Sequence, residues 1–411
     1  MADIEHLPYI VSWNLTSGCN LACPHCYMDA REKSRGELAA HEVKGVLDNL
    51  AALNNNLMLI LTGGEPMLRP DIFQIIEHAS SLGFLTVLGT NGTLLDVKNI
   101  AALKRAGLKG MGVSVDSPEP AHHDMFRGYS GSWELAVGAL KTARAAGIET
   151  QLDVTLTDDN IEGIDRFIEL GVSFKARAVN FFFLVCTGRA METAISTTGY
   201  DSAIGLIAER SMSEKRLMVR ARCAPHVNKS LYEGGHKVSA STRGCLAATS
   251  YMRIDPTGNI TPCPYMPMTL GNVRERGIAD IWSTSSELEK MRGADYGGRC
   301  GRCEFKEVCG GCRARALARR GDFMAEDDLC TYNPDGTRSL TFSDDFPAAV
   351  PADANSTTLQ WDDDARARIG RVPLFMKKIV ISIVEKKARE RGITLINCTF
   401  IDEVKAFGMP K

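Results

Sequence analysis

Apolar residues in the first half of the chain fall in short runs separated by stretches with helical spacing. "YIVSWNLT" (9–16) precedes a helix near 37–53, and "LMLILTGG" (57–64) precedes a helix within "RPDIFQIIEHASSLG". "FLTVLGTNG" (84–92) leads to a short helix at 96–106, and "GMGVSVD" (110–116) to a helix near 132–146. "TQLDVTLTD" and "AVNFFFLVCTGR" complete six strands. Strands alternating with helices predict an α/β fold on a parallel sheet, either doubly wound or curved into a partial (β/α)6 TIM-like barrel.

Polar and glycine-rich motifs stand where each predicted strand ends: "TGGEP", "GTNGT", "SVDSPEP", "DVTLTDDN" and "CTGRA". Parallel α/β folds converge these loops on one mouth, which is where their chemistry sits. Beyond the barrel segment, 1–195, the pattern predicts a helical bridge at 196–240 and a region rich in cysteine, glycine and arginine at 241–335. A proline-, aspartate- and serine-rich linker at 336–358 and a small terminal unit at 359–411 complete the organisation.

Composition narrows the function. The 411 residues carry a formal net charge of −2, so no basic surplus exists for neutralising phosphates, and a nucleic-acid binder is excluded. No apolar run is long enough to span a bilayer. The start, "MADIEHLPYI", lacks a basic region followed by an apolar one, which predicts a cytoplasmic chain without a secretory signal. Thirteen cysteines are unexpected there, because a reducing compartment turns clustered cysteines toward metal binding or catalysis. Cys186 and Cys398 stand outside the clusters, and Cys398 reads as a small buried apolar side chain.

Cys19, Cys23 and Cys26 form C-x-x-x-C-x-x-C directly after the first strand. Three soft thiolates on a short loop suit one 4Fe–4S cluster with one iron left open. A zinc site completed by another ligand, such as His25, is the alternative. This loop with Tyr27 beside its third cysteine resembles the signature of the radical S-adenosylmethionine (SAM) superfamily, and "GGEP" at 63–66 resembles its second signature. The resemblance implies that SAM chelates the open iron through its amino and carboxylate groups. It further implies that an electron from the cluster, supplied by reduced flavodoxin or ferredoxin, cleaves SAM to methionine and a 5′-deoxyadenosyl radical. Gly63 and Gly64 would let backbone approach the methionine moiety, and Glu65 would accept from the SAM amino group. Asn91, Ser114, Asp116 and Asp153 are candidates for its ribose or carboxylate, against ordinary turn and capping roles.

Downstream, Gly258 precedes Cys263, and Cys300, Cys303, Cys309 and Cys312 are spaced C-x-x-C-x-x-x-x-x-C-x-x-C. This resembles the SPASM domain, which carries auxiliary 4Fe–4S clusters. The resemblance implies Cys300, Cys303, Cys309 and Cys330 for an outer cluster, and Cys245, Cys263 and Cys312 for an inner one. Its fourth ligand is Cys223, His226 or an open position. Paired zinc ribbons are the alternative for the whole field.

"NFFFLVCTGRA" and "RCAPHV" resemble stretches of enzymes that modify decarboxysirohaem and haem precursors, and the terminal unit resembles a small domain of protochlorophyllide reductase. Together they imply a small-molecule tetrapyrrole substrate. Arg177, Arg189, Arg220 and Arg222 are candidates for its carboxylates. His122 and His123 are candidates for an acid or for caps on the neighbouring helix. Phe375, Ile379, Ile383 and Val384 predict a terminal helix packed on a core, with Lys377, Lys378, Lys386 and Lys387 on other faces. A maturase of ribosomally made peptides is the second function, and a non-catalytic electron carrier the third.

Overall fold

The computed structural model describes residues 6–192, 195–238, 244–336, 340, 359–370, 380–381, 384–385, 387–388, 391 and 393–407. They fall into two compact units, one running to His236 and resuming through Leu340, the other holding the C-terminal residues from 341.

The first unit is built on one sheet. β1 (Ile10–Asn14), β2 (Met58–Thr62), β3 (Leu85–Thr90), β4 (Gly110–Ser114), β5 (Glu149–Leu156), β6 (Ala178–Phe183) and β7 (Met218–Arg222) pair in parallel, in chain order. β8 (Tyr251–Ile254) joins the outer side of β1, also in parallel, and β9 (Asn259–Thr261) and β10 (Gly271–Asn272) continue antiparallel. β1 therefore pairs with β8 and β2, and the sheet stays open rather than closing β7 onto β1.

Each crossover brings a helix onto one face: α1 (Ala40–Leu53), α2 (Ile72–Ser81), α3 (Val97–Arg105), α4 (Pro120–Arg127), α5 (Ser132–Ala145), α6 (Ile164–Ser173), α7 (Thr197–Ser213) and α8 (Val227–Glu233). Ala136, Ala139, Leu140 and Ala143 give α5 a buried stripe at the spacing of a helix, and Ile164, Phe167 and Ile168 do so for α6. Asp96 and Ser196 start α3 and α7 by accepting from Asn99 N and Gly199 N at 2.6 and 3.0 Å. Strand alternation sorts the opposite face. Leu152, Val154 and Leu156 of β5 enter the core, so Gln151, Asp153 and Thr155 face the inside of the curved sheet.

The segment read as a helical bridge, 196–240, is a correction: it contains β7, an added parallel strand. Val219 enters the core while Met218, Arg220 and Arg222 take the inner face. Segments 1–195, 196–240 and 241–335 all supply strands to this sheet and residues to one hydrophobic core.

The second unit pairs Gln360–Trp361 with Leu395–Ile396 and buries Ala365, Ile369, Val384, Ala388, Ile396, Phe400 and Val404. Val384 is thus a core residue. Phe375, Ile379, Ile383, Lys377, Lys378 and Lys386 lie outside the described residues, as do 337–339 and 341–358 of the linker. No helix among the described residues is long and apolar enough to cross a membrane.

Candidate functional site: three groups of cysteines

The first group sits on the loop after β1, and that loop is anchored from four sides. Gly64 N donates to Thr16 O at 2.8 Å and Glu65 N to Gly18 O at 2.9 Å. A Cβ on Gly64 would fall 2.3 Å from Gly18 O and 2.9 Å from the Cys19 Cβ. A Cβ on Gly63 would meet Thr16 O at 2.5 Å. The missing side chains of these glycines let the strand-end loop pack directly against the cysteine loop.

Glu65 also turns inward. Its carboxylate accepts from Thr90 Oγ1 at 2.8 and 2.9 Å, Asn91 N at 2.9 Å and Met67 N at 3.1 Å. Burial pushes its pKa up to about 6 even so. Asn91 ties the same strand end to the loop, donating from Nδ2 to Asn20 Oδ1 at 3.0 Å.

Asp116 is fully enclosed. Thr155 N donates to it at 2.7 Å and Arg127 Nη2 lies 2.5 Å away, so its carboxylate is paired with Arg127. Burial raises its pKa, but Arg127, His25, His123 and the Thr155 N–H together outweigh that and hold it below the usual range. Arg127 in turn reaches Cys23 Sγ at 3.8 Å through Nη1. His123 is buried and its Nδ1 accepts from Asp116 N at 3.1 Å, whereas His122 is exposed. Arg189, a candidate for substrate carboxylates, belongs to the loop instead: its Nε donates to Cys23 O at 2.9 Å and its Nη1 to Asp29 at 2.5 Å. Gly188, at φ +60, presses against the Cys26 and Tyr27 carbonyls, where a Cβ would stand 2.6 and 2.5 Å away. Tyr27 closes the fourth side, its hydroxyl accepting from Asn14 Nδ2 at 2.8 Å while Arg253 holds Asn14 Oδ1 at 2.6 Å.

Burial, with Glu65, Cys23 and Cys26 nearby, pushes Cys19 up to about 11. Such a thiol becomes a thiolate at neutral pH only if a cation arrives beside it, which is what an iron cluster provides.

The second and third groups are assembled from distant parts of the chain. Cys223 directly follows β7 at φ +57, a backbone conformation unusual for a non-glycine residue. Its charged neighbours are Cys312, Arg315, Cys245 and Arg222, and those of Cys263 are Cys223, Cys312 and Cys245. Burial first, and then the neighbouring thiols, raises the pKa of both, against the pull of Arg315 and Arg222 on Cys223. Cys300, Cys303, Cys309 and Cys330 line one pocket with Lys229, Asp327 and Tyr332. All thirteen cysteines are free thiols. Among the described residues no three His, Cys, Asp or Glu side chains converge tightly enough to hold one metal ion.

Between the two later groups runs a buried network absent from the sequence reading. Asp327 accepts from Arg315 Nε and Nη2 at 2.7 and 2.8 Å and from Cys312 N at 2.7 Å. Arg315 also reaches Cys223 O at 3.3 Å and Tyr200 Oη at 3.2 Å, and Tyr200 Oη shares a 2.6 Å hydrogen bond with His226 Nδ1. This engages His226 through Nδ1. An arginine three positions after a C-x-x-C was the available signal, but its carboxylate partner lies 12 residues further on.

The comparisons with known proteins fall on the same segments. Residues 13–171 match the model of the radical SAM superfamily and 245–313 that of an iron–sulfur cluster-binding domain, SPASM. The chain is 35% identical, over 81% of its own length and 99% of the relative's, to an AdoMet-dependent heme synthase of Methanosarcina barkeri. It belongs to the radical SAM superfamily, in its SPASM-bearing branch. This radical SAM enzyme uses 4Fe–4S clusters and SAM as cofactors. Residues 361–405 match the model for the proto-chlorophyllide reductase 57 kD subunit. A PqqA peptide cyclase of Rhizobium meliloti is 30% identical over 80% of this chain and 88% of that protein. The structure of Streptococcus suis SuiB bound to S-adenosylmethionine shares the fold, with a TM-score of 0.67 at 17% identity over 80% of this chain and 78% of that one.

Proposed function

We propose that this radical SAM enzyme acts in the cytoplasm on a sirohaem-derived tetrapyrrole, removing or oxidising its side chains. The observation that carries the reading is the alignment with a heme synthase along 99% of that protein's length, at higher identity than with the peptide cyclase. A second reading, peptide maturation, draws on that cyclase match.

In this reading Cys19, Cys23 and Cys26 hold the first cluster, and its cosubstrate completes the coordination. Cys300, Cys303, Cys309 and Cys330 hold an outer cluster, and Cys245, Cys263, Cys312 and Cys223 an inner one. Bound there, the clusters and SAM supply one-electron chemistry and hydrogen abstraction, with reduced flavodoxin or ferredoxin as donor. The chain's own part is to fix the three-cysteine loop and to keep it dry. Gly63, Gly64 and Gly188 allow close contact, while Glu65, Asn91 and Arg189 tie the loop to three strand ends. Ser114, half-buried at the end of β4, and Asp153 beside it on β5 offer polar contacts on the inner face. Burial pushes Asp153 up to about 6, against the pull of Asn180 and Arg222, so it can exchange a proton near neutrality.

Anaerobic incubation with SAM, dithionite and candidate tetrapyrroles, read by mass spectrometry, tests this. The expected result is a tetrapyrrole that loses mass from its side chains in step with 5′-deoxyadenosine. Modification of a precursor peptide, with every tetrapyrrole untouched, would move the assignment to the second reading. Cys223→Ala is expected to lower iron by about four per chain after reconstitution. An unchanged iron count removes Cys223 from the inner group.

A further inference from the structure

Strand register lays one polar row across the inner face of the sheet. Ser114 of β4 stands beside Asp153 of β5, Asp153 beside Asn180 of β6, and Asn180 beside Arg220 of β7. The middle of the row is satisfied: Asn180 Nδ2 donates to Asp153 Oδ1 at 2.8 Å, and Asn180 Oδ1 accepts from Arg222 Nε at 3.2 Å. Its end is not. Arg220 is half-buried, and the partner of its guanidinium is the Met218 thioether, a weak acceptor.

Most other enclosed arginines of this unit are matched by a carboxylate, and Arg313, which is not, donates to the Phe323 and Ala325 carbonyls at 3.0 and 2.6 Å. Arg69, Arg127, Arg189 and Arg315 each sit within 2.9 Å of a carboxylate, on Asp71, Asp116, Asp29 and Asp327. Arg220 has two further guanidinium groups for neighbours, Arg222 and Arg177, with Asp153 the acid nearby. Cations crowded together and partly out of water repel one another and lose hydration, so the arrangement persists at a cost that a bound anion would offset. A guanidinium fork with free donors matches a carboxylate in planar, bidentate fashion.

We propose that Arg220, with Arg222 beside it, receives a carboxylate that enters the inner face of the sheet. Two molecules of the reaction carry one: a tetrapyrrole side chain, which rests on the function proposed above, and the methionyl end of SAM. The residue binds and orients; the hydrogen-abstracting chemistry lies with the cofactors.

The test uses reconstituted full-length enzyme under anaerobic conditions and three probes: SAM, coproporphyrin III with its free propionates, and the neutral coproporphyrin tetramethyl ester. Arg220→Gln is expected to weaken the free acid by about 10- to 100-fold, with Arg220→Lys recovering part of the loss, and to leave ester binding unchanged. Iron content and the melting curve verify that each variant is loaded and folded. The wild type alone gives an independent reading, because the ester should bind it more weakly than the acid by a similar factor. Weaker SAM binding with the porphyrin unaffected assigns the carboxylate to the cosubstrate. Unchanged affinity for both carboxylates overturns the proposal. A wild-type enzyme that takes up neither porphyrin overturns the tetrapyrrole reading, and the SAM arm then decides Arg220 by itself.

Discussion

Cys23→Ala is expected to abolish reductive cleavage of SAM and to lower reconstituted iron by about four per chain. The loop offers three thiols to the first cluster, and nothing nearby substitutes for a missing one. His25, in the same loop, is held by its stacking on Phe126 at 4.2 Å. The loop is also held too firmly to rearrange, since Arg189 fixes the Cys23 carbonyl and Gly64 lies against Cys19. Arg127→Leu is the graded companion. It removes the guanidinium that reaches Cys23 and leaves Asp116 buried beside no cation, while all three thiols remain. Support of this kind around metal ligands is typically worth about 10- to 100-fold, so cleavage should fall by that factor with iron largely retained. Iron analysis and 5′-deoxyadenosine quantitation read both variants. Full iron and full cleavage in Cys23→Ala would remove the first group from the chemistry.

What could be read from the chain divides by sequence distance. β1 to β6 were legible because most outer-facing positions are apolar and each strand end carries a turn motif, as in Leu152, Val154 and Leu156 followed by "TDDN". β7 was not, because "MVRAR" puts arginines at alternate positions and its apolar signal shrinks to Val219 and Ala221. An inner face lined with polar groups produces that pattern, and a period-2 reading then needs the neighbouring strand to recognise it. The cysteine groups were legible from local spacing. The partners of charged residues were not, since Arg127 with Asp116 and Arg189 with Cys23 depend on where separate strand ends meet in space. Glu65 shows the same limit: its position in "GGEP" was plain, while its inward carboxylate follows from Thr90 and Asn91 on the next strand.

Asp327→Ala is expected to destabilise the first unit by about 3–5 kcal/mol, the usual result of leaving one half of a buried ion pair alone. Asp327 and Arg315 are both essentially inaccessible to solvent, and the carboxylate also takes the backbone N–H groups of Cys312 at 2.7 Å and Leu329 at 3.2 Å. Truncation therefore strands a guanidinium, two N–H donors and the backbone that sets Cys312. If the cost comes from the uncompensated charge, Arg315→Met in the same background should return a large part of it; non-additivity of this kind is the mark of a shared network. The pH dependence has a definite sign. Burial would raise the Asp327 pKa, but Arg315 and His226 outweigh it and hold it well below the usual carboxylate range, so its contribution is complete above about pH 4 and lost on acidification. Burial lowers His226 to about 4, and a histidine that ionises more easily unfolded than folded loses stability as pH falls from about 6.5 toward 4. His226 therefore predicts a loss of wild-type stability across mildly acidic pH, and Asp327 adds to it only below about pH 4. Anaerobic denaturation of the loaded enzyme between pH 4.5 and 7.5 measures this, alongside the single and double variants at pH 7.5. An Asp327→Ala enzyme as stable as wild type, with its iron intact, would mean that the network between the two later cysteine groups does not hold them in place.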